Sequence, residues 1–341
     1  MGSELTLICV GSLVLSLVLT GLVRRLAISR GLLDLPNFRS SHSTPTPRGG
    51  GLAIVSATVV AVVVLACIGR ISHGLSVAVV GGGCLVAAIG FIDDRRPVPA
   101  RIRLPVHIIA AVWAVIWVGP PSTLLFGQHA IHLGWSGPVL TILGIVWTLN
   151  LFNFMDGIDG IAASEAVFVS WAAAILVLLA GGSPSVAATA LAFGSACGGF
   201  LLLNWPPAKI FMGDVGSGYL GYVISVLALE ASRGSPESLW TWLILGGVFF
   251  VDATLTLVRR LLRGERVYQA HRSHAYQWLA RRWRSHKSVT MTVMATNLLW
   301  LLPCAALSAL HPRWALWMAP VALTPLGIAA FVAGSGRPEN V

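Results

Sequence analysis

The chain has 341 residues, of which 56% are hydrophobic and only 11% are Asp, Glu, Lys or Arg, with a formal net charge of +10. Soluble domains carry roughly 25% charged residues, so a water-facing surface cannot be built from this composition and a soluble enzyme is excluded. Mean hydropathy is +0.80, and apolar stretches near the length a bilayer needs, about 20 residues, recur along the whole chain.

The apolar stretches predict eleven helices, near 5–23, 50–68, 75–92, 103–118, 137–154, 160–180, 184–204, 215–231, 238–258, 288–308 and 314–333. The first carries Glu4 and no Lys or Arg before it, and the basic pair Arg24–Arg25 follows it. It reads as a spanning helix and not as a cleaved signal peptide. The longest polar stretches, 24–49 and 259–287, are too short to bury a core of their own. The expected architecture is therefore an all-α polytopic membrane protein of about eleven transmembrane helices, with 1–341 as a single integral membrane domain. Of the 23 Lys and Arg, all but Arg70, Arg233 and Arg313 fall in alternate loops and the C-terminal tail. The positive-inside rule puts those loops in the cytoplasm, the N-terminus outside and the C-terminus inside. The basicity thus sets orientation and favours anionic lipid. It is not a nucleic-acid footprint. The five cysteines sit in apolar stretches without CxxC spacing, as small buried hydrophobes do.

The acids carry more information. Of seven aspartates, Asp34, Asp93, Asp94, Asp156, Asp159 and Asp214 fall in cytoplasmic loops or at cytoplasmic helix ends, while Asp252 lies inside the ninth helix. An ionised carboxylate at the centre of a spanning helix costs about 2.5–3.5 kcal/mol on insertion scales. A cluster of them at one rim calls for a cation, and magnesium, which takes one or two carboxylates plus substrate phosphates, fits.

In chain order, DLPNFRSSHSTPTPRGGG (34–51) offers Arg39, His42 and Arg48 to a phosphate, or is simply a basic inner loop. GFIDDRRP (90–97) pairs Asp93 with Asp94, either for metal binding or base chemistry, or as a solvated pair bridged to Arg95 and Arg96. His129 and His132 lie in an outer loop away from the acids and read as surface residues. In NLFNFMDGIDG (150–160), Asn150, Asn153, Asp156 and Asp159 recur every third residue, a polar stripe on one helix face. In NWPPAKIFMGDVGSGYLG (204–221), Asp214 begins a glycine-rich helix start suited to an anion, Lys209 adds a cation and Phe211 an apolar face for a base; the plainer reading has Asp214 capping its own helix. The loop 259–284 holds His271, Arg272 and His274, suited to phosphate, metal or proton transfer, or forms an amphipathic interfacial stretch. Asp252 is a functional candidate by its depth, or neutralises Arg259 two turns away.

Together PTPRGGG (45–51), FIDD (91–94), NLFNFMDGIDG, PAKIFMGDVGS (207–217) and HRSH (271–274) resemble the polyprenyl-phosphate N-acetylhexosamine-1-phosphate transferases, glycosyltransferase family 4, a group related to the phospho-N-acetylmuramoyl-pentapeptide transferases. The resemblance spans roughly residues 5–335. It implies a magnesium-dependent enzyme of the bacterial inner membrane, with Mn²⁺ as a substitute ion. That enzyme moves a sugar 1-phosphate from a UDP-N-acetylhexosamine to undecaprenyl phosphate at the cytoplasmic face, releasing UMP and starting a cell-surface glycan such as O-antigen. By the same resemblance Asp214 is the metal ligand, and Asp93, Asp94, Asp156 and Asp159 are catalytic. Arg48, Asn150, Asn153, Asn204, Lys209, Phe211, His271, Arg272 and His274 bind substrate, with Phe211 stacking on uracil. A homodimer is allowed. Relatives carry further histidines where this chain has Tyr276 and Gln277, a departure that points to an unusual sugar such as a 6-deoxy N-acetylhexosamine. A pentapeptide transferase is the near rival and an ion-coupled transporter the distant one. Transporter sites sit near the bilayer midplane, whereas these acids gather at one side.

Overall fold

The computed structural model describes residues 2–34, 44–126, 129–235, 238–265 and 271–338. Arg39 and His42 lie outside the described residues. The helices are α1 Gly2–Ser29, α2 Gly51–Cys67, α3 His73–Arg95, α4 Ala100–Val118, α5 Ser136–Met155, α6 Ile161–Leu179, α7 Pro184–Asn204, α8 Asp214–Gly234, α9 Ser238–Leu245, α10 Gly247–Leu262, α11 Ala275–Trp283, α12 His286–Leu310 and α13 Pro312–Ala333. In lipid, a helix satisfies its own backbone donors and acceptors, which is why apolar runs of this length take this form.

Every segment expected to be helical is helical. Among the described residues nine helices are long and apolar enough to cross a membrane, and α9 with α10 makes a tenth if that bent pair is one span; α2, at 17 residues, is shorter. The segment 238–258 is not one straight helix. It bends by 76° between α9 and α10, at the pair Gly246–Gly247, where Gly246 leaves helical geometry (φ −84°, ψ 14°). Glycine pairs are a usual cause of so sharp a kink.

At the centre stands α8, buried along nearly its whole length from Val215 to Ser232. It packs against α3 and α5, while α7 packs between α1 and α6. Tyr222 of α8 donates a hydrogen bond to the Ala78 carbonyl (2.9 Å), which lies in a single π-turn of α3 over Ala78–Gly82. Two short antiparallel ribbons complete the fold: β1 (Leu33–Asp34) with β2 (Thr46–Pro47), and β3 (Thr123–Phe126) with β4 (His129–His132). His129 and His132 are exposed. The loop 259–284 contains the amphipathic α11, which buries Ala275, Tyr276 and Ala280 and exposes Arg281 and Arg282.

Candidate active site

The segments 45–51, 91–94, 150–160 and 207–217 meet at the start of α8. The chain from Pro47 runs beside the chain from Phe211. Phe211 N donates to Pro47 O (2.8 Å), Gly50 N to Phe211 O (2.9 Å) and Gly51 N to Met212 O (2.9 Å). This pairing brings Arg48 to the acids. Its Nε lies 2.9 Å from Asp94 Oδ1 and its Nη2 3.2 Å from Asp214 Oδ1. Burial works against the Arg48 charge, but Asp94 and Asp214 outweigh it and raise its pKa. From the other side Arg103 bridges Asp93 (2.5 Å) and Asp214 (3.3 Å). Asp214 thus sits between two guanidinium groups.

Asp94 has a holding role. Its carboxylate accepts from Asp214 N (2.8 Å) and Val215 N (3.1 Å), filling the open amides of α8 from another helix. Asp214 therefore does not cap its own helix, and the Asp93–Asp94 pair is bridged to Arg103 and Arg48 rather than to Arg95 and Arg96. Arg95 instead lies over the Phe91 ring. Gly213 must be glycine here: its φ is +78°, and an added Cβ would strike the Asp94 carboxylate.

The polar stripe of 150–160 divides because α5 ends at Met155. Asn150 and Asn153 face Asp93, Arg103 and Asp214 across a small interior pocket that also includes His107. Asn150 is committed to its own helix through Val146 O (2.7 Å), and Asn153 donates to Ser217 Oγ (3.0 Å). Asp156, just past the helix end, has no hydrogen-bond donor on its carboxylate among the described residues. Burial first, then Asp214, push its pKa up to about 7. Asp159 turns elsewhere. It meets His286 Nδ1 (3.2 Å) and accepts from Ala208 N (3.1 Å), and its own carbonyl accepts from Thr290 Oγ1 (3.0 Å). It borders a cleft of about 630 Å³ with Phe211, Arg272, Arg284, His286 and Lys287.

Three residues expected at the substrate have the following surroundings. Asn204 is buried with both ends of its amide occupied: Oδ1 by Gly160 N (3.0 Å) and Nδ2 by Ile210 O (2.9 Å). It ties the DGIDG turn to the PAKIF loop. His274 is 1% exposed and stacked between Phe154 and Tyr276, with its Nδ1 3.8 Å from Asp252 Oδ1. Lys209 is exposed and its carbonyl holds Arg24 (3.1 Å). His271 is nearer the surface, bonded to Ser273 Oγ (2.9 Å), and its pKa is lowered to about 3 by burial and then by His274.

Asp252 anchors this last loop. It accepts from Ala275 N (2.8 Å), Tyr276 N (3.1 Å), Ser335 Oγ (2.7 Å) and Thr256 Oγ1 (3.2 Å). Arg259 is not its partner, since that side chain bonds to Ser335 O (2.5 Å). Tyr276 is buried with its hydroxyl on Phe154 O (2.9 Å), so this departure from the family pattern braces the end of α5 instead of facing the cleft.

The acids do not form one cage. Among the described residues no three Asp, Glu, His or Cys side chains stand together as a ready-made metal site, because arginines and backbone amides already hold Asp93 and Asp94, and Asp159 faces His286. The residues still fit magnesium. Asp156 is an acid without a donor, acted on by Asp214 and Asp94, and two carboxylates with substrate phosphates suffice for that ion. Arg103, His107, Ser217 and His286 were not legible as site residues. Arg103 and His286 each carry an acid partner ten or more positions away, and no local spacing marks such a pair.

The profile of glycosyl transferase family 4 matches residues 76–232. A Bacillus subtilis (strain 168) protein described as a "probable undecaprenyl-phosphate N-acetylglucosaminyl 1-phosphate transferase" is 31% identical, over 83% of this chain and 79% of its own length. The decaprenyl-phosphate N-acetylglucosaminephosphotransferase of Mycobacterium tuberculosis (strain CDC 1551 / Oshkosh) is 30% identical over 85% and 79%. The undecaprenyl-phosphate alpha-N-acetylglucosaminyl 1-phosphate transferase of Salmonella typhi is 30% identical over 86% and 82%. With identity at this level over most of both chains, and four of the five motif segments converging on the start of α8, this chain belongs to the polyprenyl-phosphate N-acetylhexosamine-1-phosphate transferases of glycosyl transferase family 4.

Proposed function

We propose that this protein transfers an N-acetylhexosamine 1-phosphate from a UDP-sugar to polyprenyl phosphate, releasing UMP, at the cytoplasmic face of the bacterial inner membrane. The observation that carries this reading is the pair of arginine bridges, Arg48 across Asp94 and Asp214 and Arg103 across Asp93 and Asp214, set beside the donorless Asp156. Such a group offers cations to phosphates and, at Asp156, carboxylate oxygens that take no donor from the described residues to a divalent ion.

The chemistry needs both. A polyprenyl phosphate oxygen attacks the sugar-bearing phosphorus of the donor, the bond from that phosphorus to the UMP oxygen breaks, and UMP leaves with the electron pair. Attacker and target are both anionic and repel. Magnesium held by Asp214 and Asp156 would supply charge neutralisation at the diphosphate. Arg48 and Arg103 fix the Asp214 carboxylate and present the remaining N–H groups to phosphate oxygens. Asp94 keeps the start of α8 in place. Phe211 offers its ring to the base at the cleft.

The direct test incubates membranes holding the protein with radiolabelled polyprenyl phosphate, a panel of UDP-sugars and Mg²⁺ or Mn²⁺. Formation of a lipid-linked diphosphate sugar and UMP is expected, with loss of turnover in EDTA. No product from any N-acetylhexosamine donor would overturn the proposal, and product from UDP-N-acetylmuramoyl-pentapeptide alone would assign the near rival. Attack is direct in this reading, so a chiral phosphate should invert; retention would require an aspartyl-phosphate intermediate.

A further inference from the structure

His286 lies at the mouth of the cleft, on an element that no motif marks. Arg284 ends α11 with a left-handed backbone (φ 52°), unique to it among non-glycine described residues. Residues held in that region cost free energy and persist only where the surroundings require it. The turn reverses the chain, Ser285 Oγ caps α12 by accepting from Ser288 N (3.1 Å), and His286 becomes the first residue of α12. Its Nδ1 is engaged by Asp159, 3.2 Å from Oδ1 and 3.5 Å from the Asp159 amide. Thr290, one turn later, holds the Asp159 carbonyl. The imidazole is therefore fixed in place. Its other nitrogen, Nε2, lies across the ring from Asp159 and has no partner among the described residues, while the partly exposed side chain borders the cleft with Phe211, Arg284 and Lys287.

We propose that His286 is a donor-binding residue whose Nε2 hydrogen-bonds a phosphate oxygen of the nucleotide, with Asp159 acting as the positioning residue that orients the ring. This rests on the nucleotide-sugar reading above. The basic rim of Arg284 and Lys287 favours an anion over a ribose hydroxyl as the partner. A bound anion selects the ring states that carry a hydrogen on Nε2. These are the imidazolium, with Nδ1 donating to the Asp159 carboxylate, and the neutral ring whose Nδ1 accepts from the Asp159 amide. A carboxylate or backbone group that fixes one imidazole nitrogen so that the other meets a ligand is a common arrangement.

Two amides separate this from a purely structural role. Asparagine places its amide near the Nδ1 position and so keeps the link to Asp159 while deleting Nε2. Glutamine reaches the Nε2 position. The experiment uses the full chain in detergent or nanodiscs and measures UMP affinity by titration, together with donor KM, acceptor KM and kcat. His286→Asn should weaken UMP binding and raise donor KM by about tenfold or more, as the loss of one hydrogen bond to a charged group implies. Acceptor KM should stay within about twofold. His286→Gln should restore most of the affinity. The reverse order, Gln impaired and Asn near normal, would overturn the proposal by assigning His286 only to Asp159, and so would UMP binding unchanged in both variants. A wild-type protein that binds no UMP would overturn the nucleotide reading beneath it, an outcome distinct from wild-type binding that the variants leave intact.

Discussion

Asp252 is the buried acid whose role the structure makes most explicit, and removing it has a calculable cost. The carboxylate is 4% exposed and accepts four hydrogen bonds. In Asp252→Ala, Thr256 can fall back on the carbonyl of residue 252 one turn earlier, so its loss is small. The Ala275 and Tyr276 amides are open donors of the first turn of α11, and loss of such a cap costs about 1–2 kcal/mol. The Ser335 hydroxyl is fully buried, and orphaning it adds about 1–3 kcal/mol. The sum, about 2–5 kcal/mol, is a large share of the about 5–15 kcal/mol that holds a typical protein together. Asp252→Asn keeps an acceptor but turns an amide N–H toward the same donors, so about half of that loss is expected. The assay is reversible SDS unfolding in mixed micelles at constant lipid. Activity should fall in parallel, because α11 carries the wall of the cleft. An Asp252→Ala protein within about 0.5 kcal/mol of wild type, but inactive, would refute the anchoring role and make Asp252 a participant in the chemistry.

Asp214→Asn should abolish turnover while the protein still inserts and folds, checked by lipid-linked product formation and gel filtration. Arg103→Lys should lower turnover by at least about tenfold, since an ammonium cannot span Asp93 and Asp214 as a guanidinium does. His271 has its pKa depressed to about 3 by burial and by His274, so the unfolded chain binds its proton more readily between about 6.5 and 3 and the protein loses stability as pH falls through that window. His271→Asn should flatten the fall in melting temperature between pH 7.5 and 5. Glu165 of α6 accepts from Asn297 Nδ2 of α12 (2.6 Å), fully buried. Glu165→Gln should stay within about 1 kcal/mol of wild type in the SDS assay, whereas Glu165→Leu orphans Asn297 and should cost about 1–3 kcal/mol.

The helices were legible because hydropathy alone decides where a chain can sit in hydrocarbon. Segment existence held at each of the eleven positions, and the failures came from features that hydropathy does not encode. The bend at Gly246–Gly247 depends on two residues inside an apolar run, so the run reads as unbroken. α2 falls short because its apolar stretch continues past the helix end at Cys67 into Ile68. α11 fits the amphipathic alternative for 259–284, but at nine residues it is too short for hydropathy to set its ends.

The site was legible in its members and less so in their roles, for one physical reason. Sequence shows which polar groups a membrane protein keeps at its rim, but a buried polar group must find partners, and those partners can belong to any element. Asp94 and Asn204 were expected at the substrate, Asp252 was either a functional acid or the neutraliser of Arg259, and each bonds to the backbone of another segment. Asp94 holds the start of α8, Asn204 holds the DGIDG turn against the PAKIF loop, and Asp252 holds the start of α11. What distinguishes Asp156 from them is the lack of any such donor. Only partly buried and with no donor among the described residues, Asp156 keeps its oxygens open to a cation or a phosphate-bound ion. Among the described aspartates of the site, that contrast between those held by the fold and Asp156 separates the scaffold from the groups left to act on a ligand.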